Sequence, residues 1–237
     1  MRPGDVRSPS PLGRYFVLGS ALAALALMYP LLGHGLVGLG AWTGAFWLVL
    51  LGVLRASTTE GRARGLERAL AVLAAVGSLG IVAFHGMRPQ AHGGLFAFFD
   101  SLALMFLVVA TLRILKSVLL GDHSKHDHLL SAACAYVLLG LAFAYALIVL
   151  QGVTGTEQVH VAPENRILDG DPLGLSRARL LYLSFVTLTT LGYGDITAIT
   201  LEARMVLGVE AVIGQLYLAI LVARLVGLHI SGNSSRP

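Results

Sequence analysis

The chain has few charged residues and almost no cysteine. Only 13% of its 237 residues are charged, 56% are hydrophobic, and Cys134 is the single cysteine. One cysteine excludes an intrachain disulfide, a CxxC metal site and a redox pair. So little charge excludes the composition of an ordinary soluble domain. Together with a mean hydropathy of +0.77, these shortages predict an integral membrane protein.

Apolar runs of membrane-spanning length divide the chain. Each is near the ~20 residues that a helix needs to cross a bilayer. The six predicted spans are residues 16–32, 36–54, 69–85, 95–115, 129–153 and 203–228. A signal peptide is the alternative interpretation of the first run. Residues 180–190 are also apolar but would form a helix of only about 16 Å, which is too short to cross and suits a re-entrant pore helix.

The basic residues lie in short loops between the apolar runs. A pI of about 9.5 raises the possibility of a nucleic-acid partner, but the basic residues form no single patch, so none is expected. With the N-terminus inside, the inner segments hold most of the 17 Lys and Arg residues. This bias predicts that both termini are cytoplasmic and that the polar segment 151–179 is an outer loop.

The stretch TLTTLGYGD, residues 187–195, lies between the short apolar run and the last span. Its glycines, Gly192 and Gly194, take φ > 0 at no steric cost. Residues of positive and ordinary φ in alternation turn successive carbonyls to the same side. A run from Thr190 to Tyr193 would then present a carbonyl column about 13 Å tall, with the Thr190 hydroxyl below it. One strand cannot surround an ion, whereas four can.

This stretch resembles the T-x-T-T-x-G-Y-G-D selectivity-filter signature of tetrameric potassium channels, and the resemblance covers roughly the last 100 residues. In that family, four such loops replace the hydration shell of K⁺ with backbone oxygens. The implied ion-binding residues, of which the first four would hold K⁺, are Thr190, Leu191, Gly192, Tyr193, Gly194 and Asp195. The residues expected to support the filter are Thr187, Thr189 and Tyr182.

Three positions depart from the family pattern. Leu191 stands where Val or Ile is usual, so a stiff β-branched side chain is replaced by a more mobile one. Val186 occupies a position where some bacterial members carry a glutamate that bonds the aspartate, and Leu183 replaces a frequent tryptophan. The usual buttress behind Asp195 is therefore expected to be absent.

The last span contains candidate gate residues. Gly214 lies at the spacing after the filter where the family often carries a hinge glycine. Below it, Val222, Val226 and Ile230 form an i, i+4, i+8 row that would close as a hydrophobic constriction. The alternative is a helix-packing glycine and lipid-facing aliphatic side chains.

Glu210 is an ionisable residue inside the same span. Such a residue is a functional candidate because burying it in hydrocarbon is costly. Its alternative role is structural, as a partner of a polar group behind the filter.

Residues 121–128, GDHSKHDH, place His123, His126 and His128 beside two aspartates. Imidazoles and carboxylates at this spacing suit a transition metal or a proton sensor. The alternative is a solvated polar linker.

The fourth run lacks the repeated basic residues of a voltage sensor. It carries only Arg113 and Lys116, both at its inner end, so a conventional voltage sensor is not expected.

These patterns predict an all-α, six-span membrane subunit with a re-entrant pore helix and filter loop between the fifth and sixth spans. The predicted divisions are a tail 1–14, an accessory four-helix domain 15–120, a linker 121–128, a pore domain 129–228 and a tail 229–237. One chain would supply a quarter of a pore, giving a homotetramer in the plasma membrane. K⁺ would be the permeant ion, with no cofactor and no small-molecule substrate.

Three alternatives to a potassium channel remain: a weakly selective cation channel, a regulatory subunit that does not conduct, and an enzyme. An intramembrane hydrolase is disfavoured because Ser184 lacks a GxSxG context and no span offers a matching Ser and His pair.

Overall fold

The computed structural model describes residues 93–120, 125–161 and 174–233, together with residues 19, 44, 46–53, 65, 69, 71–73 and 75–77. The predicted N-terminal tail, His123 and most of the first three predicted spans lie outside these residues.

Four long helices lie within the continuous described ranges. Helix α1 is Gly93–Leu120, α2 is Lys125–Thr154, α3 is Gly174–Leu188 and α4 is Leu201–Asn233. In a bilayer such apolar segments become helical because a helix satisfies its backbone hydrogen bonds internally. Helix α2 begins inside the predicted linker, and α4 continues into the predicted C-terminal tail.

Three of these helices are long and apolar enough to cross a membrane, as far as the described residues go. Their candidate spans are Phe96–Val118, Leu129–Thr154 and Leu201–Gly227. These bounds lie within three residues of the fourth, fifth and sixth predicted spans. The protein is therefore mostly helical with membrane-spanning character, while the total of six spans stays a prediction.

Helix α3 differs from its prediction at both ends. It begins at Gly174 rather than at residue 180, and it ends at Leu188 rather than at residue 190. The early start was missed because the first turns contain Arg177 and Arg179, which resemble a polar loop in sequence. The early end follows from Thr190, whose φ of 57° is incompatible with a right-handed helix.

Two short strands flank the segment that contains α3, so the all-α prediction is wrong in this detail. Strand β1, Val159–Val161, pairs antiparallel with β2, Ile196–Ala198, with His160 opposite Thr197. Val159 and Val161 are buried and His160 is exposed, as the period of two in a strand requires. The sheet joins the chain before α3 to the chain after TLTTLGYGD.

Helix α2 lies at the centre of the described core. It packs against α1, α3 and α4, and Leu138, Leu141 and Leu147 are fully buried. The helical residues 46–53 contact α2 as well, because the ring of Phe46 stacks on Tyr145 with centroids 5.2 Å apart.

Candidate functional site

The backbone after α3 alternates between positive and ordinary φ. Thr190 has φ 57°, Gly192 has φ 59° and Gly194 has φ 77°, whereas Leu191 and Tyr193 are not in the positive region. The prediction for the two glycines is confirmed. Thr190 was not predicted to take this conformation, because a β-branched residue with φ > 0 is strained. The alternation therefore extends over all of TLGYG.

Hydrogen bonds fix this segment to the end of α3. The amide of Leu191 donates to the Val186 carbonyl at 2.9 Å, and the amide of Thr190 donates to the Thr187 carbonyl at 2.9 Å. The Thr189 hydroxyl donates to the Phe185 carbonyl at 2.7 Å. The helix end and the start of the candidate filter thus form one hydrogen-bonded unit.

Asp195 has a buttress within its own chain. The hydroxyl of Tyr182, on α3, donates to Asp195 Oδ2 at 2.9 Å. The glutamate and tryptophan of the family pattern are absent, since Val186 and Leu183 occupy their positions, and Tyr182 supplies a different partner for Asp195. Within the described residues, Asp195 Oδ1 is buried without a hydrogen-bond partner.

Side chains of the candidate filter are exposed in the single chain. Tyr193 is 68% exposed and Leu191 is 53% exposed. One chain therefore leaves this segment without the packing that would enclose an ion. Ion binding by the predicted filter residues stays a prediction.

A polar cluster joins three helices near the C-terminal end of α3. Ser184 Oγ, on α3, lies 2.7 Å from the Gly140 carbonyl oxygen of α2 and 2.5 Å from Glu210 Oε1 of α4. Ser184 and Glu210 are fully buried. Ser184 is therefore the polar partner required by the structural role considered for Glu210. Ser184 lies four residues before the last residue of α3.

Gly214 forms a close helix contact. A Cβ at this position would lie 2.8 Å from Leu188 Cδ1 and 3.0 Å from the Leu188 carbonyl oxygen. A side chain there would require the Leu188 side chain to move and the Leu188 carbonyl to shift by a few tenths of an ångström. This contact supports the helix-packing interpretation of Gly214, and its role as a hinge stays a prediction.

Two tyrosines tie α2 to its neighbours. The Tyr136 hydroxyl donates to the Leu188 carbonyl at 2.9 Å, and the Tyr217 hydroxyl donates to the Ala132 carbonyl at 2.6 Å. Their rings stack with centroids 5.7 Å apart. Because Leu188 is the last residue of α3, this pair positions the point where the candidate filter begins.

A buried ion pair that the sequence analysis missed connects α1 to α3. Arg177 donates through Nη1 to Asp100 Oδ1 at 2.9 Å and through Nη2 to Oδ2 at 2.6 Å. Although burial alone lowers it, the pKa of Arg177 is raised because the Asp100 carboxylate stabilises the charged guanidinium. The sequence did contain a signal for this pair, because Asp100 is an acidic residue inside an apolar run and such a residue needs a partner.

The remaining predicted site residues that the structure describes lie outside the candidate filter segment in sequence. Val222 and Val226 are exposed on α4, more than 25 residues after Gly194 in sequence. The backbone of Ile230 lies on the same helix. His126 and His128 lie in the first turn of α2.

Residues 162–229 match a family model described as "Ion channel". The matched range includes α3, TLTTLGYGD, β2 and most of α4, and it covers less than half of the chain. No match was found among curated proteins or among solved structures. The domain match and the apolar helices support an ion channel family and a membrane location for this protein.

Proposed function

We propose that the protein is a subunit of a potassium-selective channel, in which backbone carbonyls of Thr190, Leu191, Gly192 and Tyr193 bind K⁺. The observation that carries this proposal is the alternation of positive φ at Thr190, Gly192 and Gly194. Such alternation turns successive carbonyls to one side, and carbonyl oxygens replace the hydration shell of K⁺.

The strain at Thr190 supports the same function. A non-glycine residue in the left-handed region costs on the order of 1–3 kcal/mol and persists where the surroundings hold it in place. Here the hydrogen bond from the Thr190 amide to the Thr187 carbonyl holds the residue. An ordinary surface turn could use glycine or asparagine without that cost.

Helix α3 has the length of a re-entrant pore helix. Its 15 residues extend about 22 Å, which is short of the ~30 Å hydrocarbon core. The helix ends at the candidate filter, so the negative end of its dipole would favour a cation below the filter. Irregular backbone at membrane depth is tolerated where it lines a water-filled cavity.

We further propose a homotetramer in the plasma membrane with both termini cytoplasmic. Each chain carries one TLTTLGYGD stretch, and that stretch is exposed in the single chain. Closed symmetry around a central axis would bring four copies together. The channel would be passive and not enzymatic, with K⁺ as the permeant ion and no cofactor.

A weakly selective cation channel is the second candidate, and Leu191 favours it. This side chain is 53% exposed and lacks the β-branch that stiffens Val and Ile. A looser filter would discriminate less between K⁺ and Na⁺.

The test is the reversal potential of the purified protein in planar bilayers under opposing K⁺ and Na⁺ gradients. A reversal potential near that of K⁺ supports the first candidate, and an intermediate value supports the second. Absence of cation flux from intact oligomers would contradict both and support a regulatory subunit.

A further inference from the structure

In the cluster of Gly140, Ser184 and Glu210, the Ser184 hydroxyl makes two close oxygen–oxygen contacts but has only one proton for them. Ser184 Oγ lies within hydrogen-bond distance of two oxygens, the Gly140 carbonyl at 2.7 Å and Glu210 Oε1 at 2.5 Å. A serine hydroxyl has one proton to donate, and a backbone carbonyl can only accept. One proton cannot serve both contacts.

An ionised Glu210 would leave one of the two contacts without a hydrogen. If Ser184 donated to Glu210, its oxygen would face the Gly140 carbonyl oxygen at 2.7 Å with no proton between them. A protonated Glu210 removes this conflict because it donates to Ser184, which then donates to Gly140. The 2.5 Å distance fits an O–H···O bond.

The second carboxyl oxygen supports the same assignment. Among the described residues, Glu210 Oε2 is buried with no hydrogen-bond partner, and Glu210 itself has no exposed surface. An unpaired buried carboxylate is far more costly than an unpaired carbonyl oxygen of a neutral acid. Glu210 also lies inside the candidate span Leu201–Gly227, where charge is unfavourable.

We propose that Glu210 is a neutral acid that acts as a positioning residue for the filter, donating its proton to Ser184 on α3, which donates in turn to Gly140 on α2. This chain of two hydrogen bonds joins three helices at one point. Ser184 lies one helical turn before Leu188, after which the candidate filter begins. The depth and rotation of α3 therefore depend on the Glu210 proton.

The first experiment uses infrared spectroscopy of the purified wild-type oligomer at pH 7 and does not require ion flux. The difference spectrum between wild type and Glu210→Gln should contain the C=O band of a protonated carboxylic acid. The control is Glu202→Gln, which changes an exposed glutamate at the start of the same helix. That variant should remove only carboxylate bands. Loss of carboxylate bands in Glu210→Gln, with no acid band, would overturn the proposal.

The second experiment rests on the proposed function and measures the reversal potential under a K⁺–Na⁺ gradient. Glu210→Gln keeps a donor for Ser184 and should retain the wild-type reversal potential. Glu210→Ala and Ser184→Ala each break the chain and should lose K⁺ selectivity while the oligomer still forms. If Glu210→Gln is as damaging as Glu210→Ala, an ionised carboxylate is required and the proposal is wrong.

The two readouts separate the two hypotheses. If wild type carries no cation current, the proposed function fails, and the infrared band alone decides whether Glu210 is neutral. If the channel conducts selectively and the acid band is missing, the proposed function stands and the neutral acid is rejected.

Discussion

Helices α2 and α4 have opposite surroundings in the single chain. In an apolar 18-residue window of α2, 56% of residues are buried within the chain, whereas in the corresponding window of α4 only 11% are buried. Exposed aliphatic side chains on α4 are compatible with lipid, which is as apolar as leucine. The candidate filter segment before α4 is different, because backbone polar groups at the proposed membrane depth would need partners. The difference indicates that α2 organises the fold of one chain, and it agrees with the proposal that other chains complete the candidate filter.

The largest effect is expected from breaking the Asp100–Arg177 pair, which tests the packing that one chain supplies by itself. Asp100→Ala should lower the free energy of unfolding by about 3–5 kcal/mol, because it leaves a buried guanidinium without its carboxylate. Denaturant unfolding in detergent, followed by circular dichroism, measures the loss.

Two controls separate charge pairing from packing at this site. Asp100→Leu combined with Arg177→Met removes both charges and should recover most of the lost stability. Glu157→Ala removes an exposed acid and should change stability by no more than about 0.5 kcal/mol. An Asp100→Ala protein as stable as wild type would show that the pair does not tie α1 to α3.

A matched pair of leucine substitutions compares α2 and α4 directly. Leu147→Ala, at a fully buried position of α2, should cost about 2 kcal/mol, the low end for a core leucine, because lipid reduces the hydrophobic part of the loss. Leu216→Ala, at a position of α4 that is 56% exposed, should stay within about 0.5 kcal/mol. Equal losses in the unfolding experiment would contradict the contrast between the two helices.

The next prediction concerns the Tyr182–Asp195 hydrogen bond, which joins α3 to the last residue of the candidate filter. Tyr182→Phe leaves Asp195 Oδ2 without its donor and should cost about 1–3 kcal/mol of filter stability. The measurement is the K⁺ dependence of the thermal unfolding of the oligomer. In a double-mutant cycle with Asp195→Asn, the two effects should be non-additive. Strict additivity would mean that the two side chains act separately.

The smallest expected effect concerns voltage. Moving one charge across the membrane is worth about 2.3 kcal/mol per 100 mV, and the basic residues of α1 are only Arg113 and Lys116, near its C-terminal end. The conductance–voltage curve should therefore be shallow and nearly unchanged when both are replaced by Gln. A steep curve that disappears in this double variant would contradict the absence of a voltage sensor.

Sequence patterns predicted the features that depend on local chemistry. The spans of α1, α2 and α4 follow from long apolar runs, and the positive φ of Gly192 and Gly194 follows from glycine itself. The sequence could not predict the positive φ of Thr190, because the intrinsic preference of a β-branched residue opposes it. The surrounding backbone hydrogen bonds override that preference.

Features that depend on distant partners were missed. Asp100 and Arg177 are 77 residues apart, and the sequence around either residue does not identify the other as its partner. Strands β1 and β2 have three residues each, which is too short for an alternation to stand out. Their pairing depends on the segments before α3 and after TLTTLGYGD meeting in space.

The central claim is that TLTTLGYGD acts through its backbone conformation, and a comparison of Gly194→Ala with Gly155→Ala tests it most directly. Both glycines have positive φ, 77° and 65°, and a Cβ at either would meet no atom within 4 Å. Each substitution therefore adds similar strain, about 1 kcal/mol or more per chain. Only Gly194 lies in the candidate filter, and Gly155 follows α2.

The measurement is the reversal potential of each intact oligomer under a K⁺–Na⁺ gradient, with Thr187→Ser as a conservative substitution that should be tolerated. Gly155→Ala should retain the wild-type value, and Gly194→Ala should lose K⁺ conduction or shift towards a non-selective value. A Gly194→Ala protein with wild-type selectivity would contradict the account, because the carbonyls of this stretch would then not form the filter.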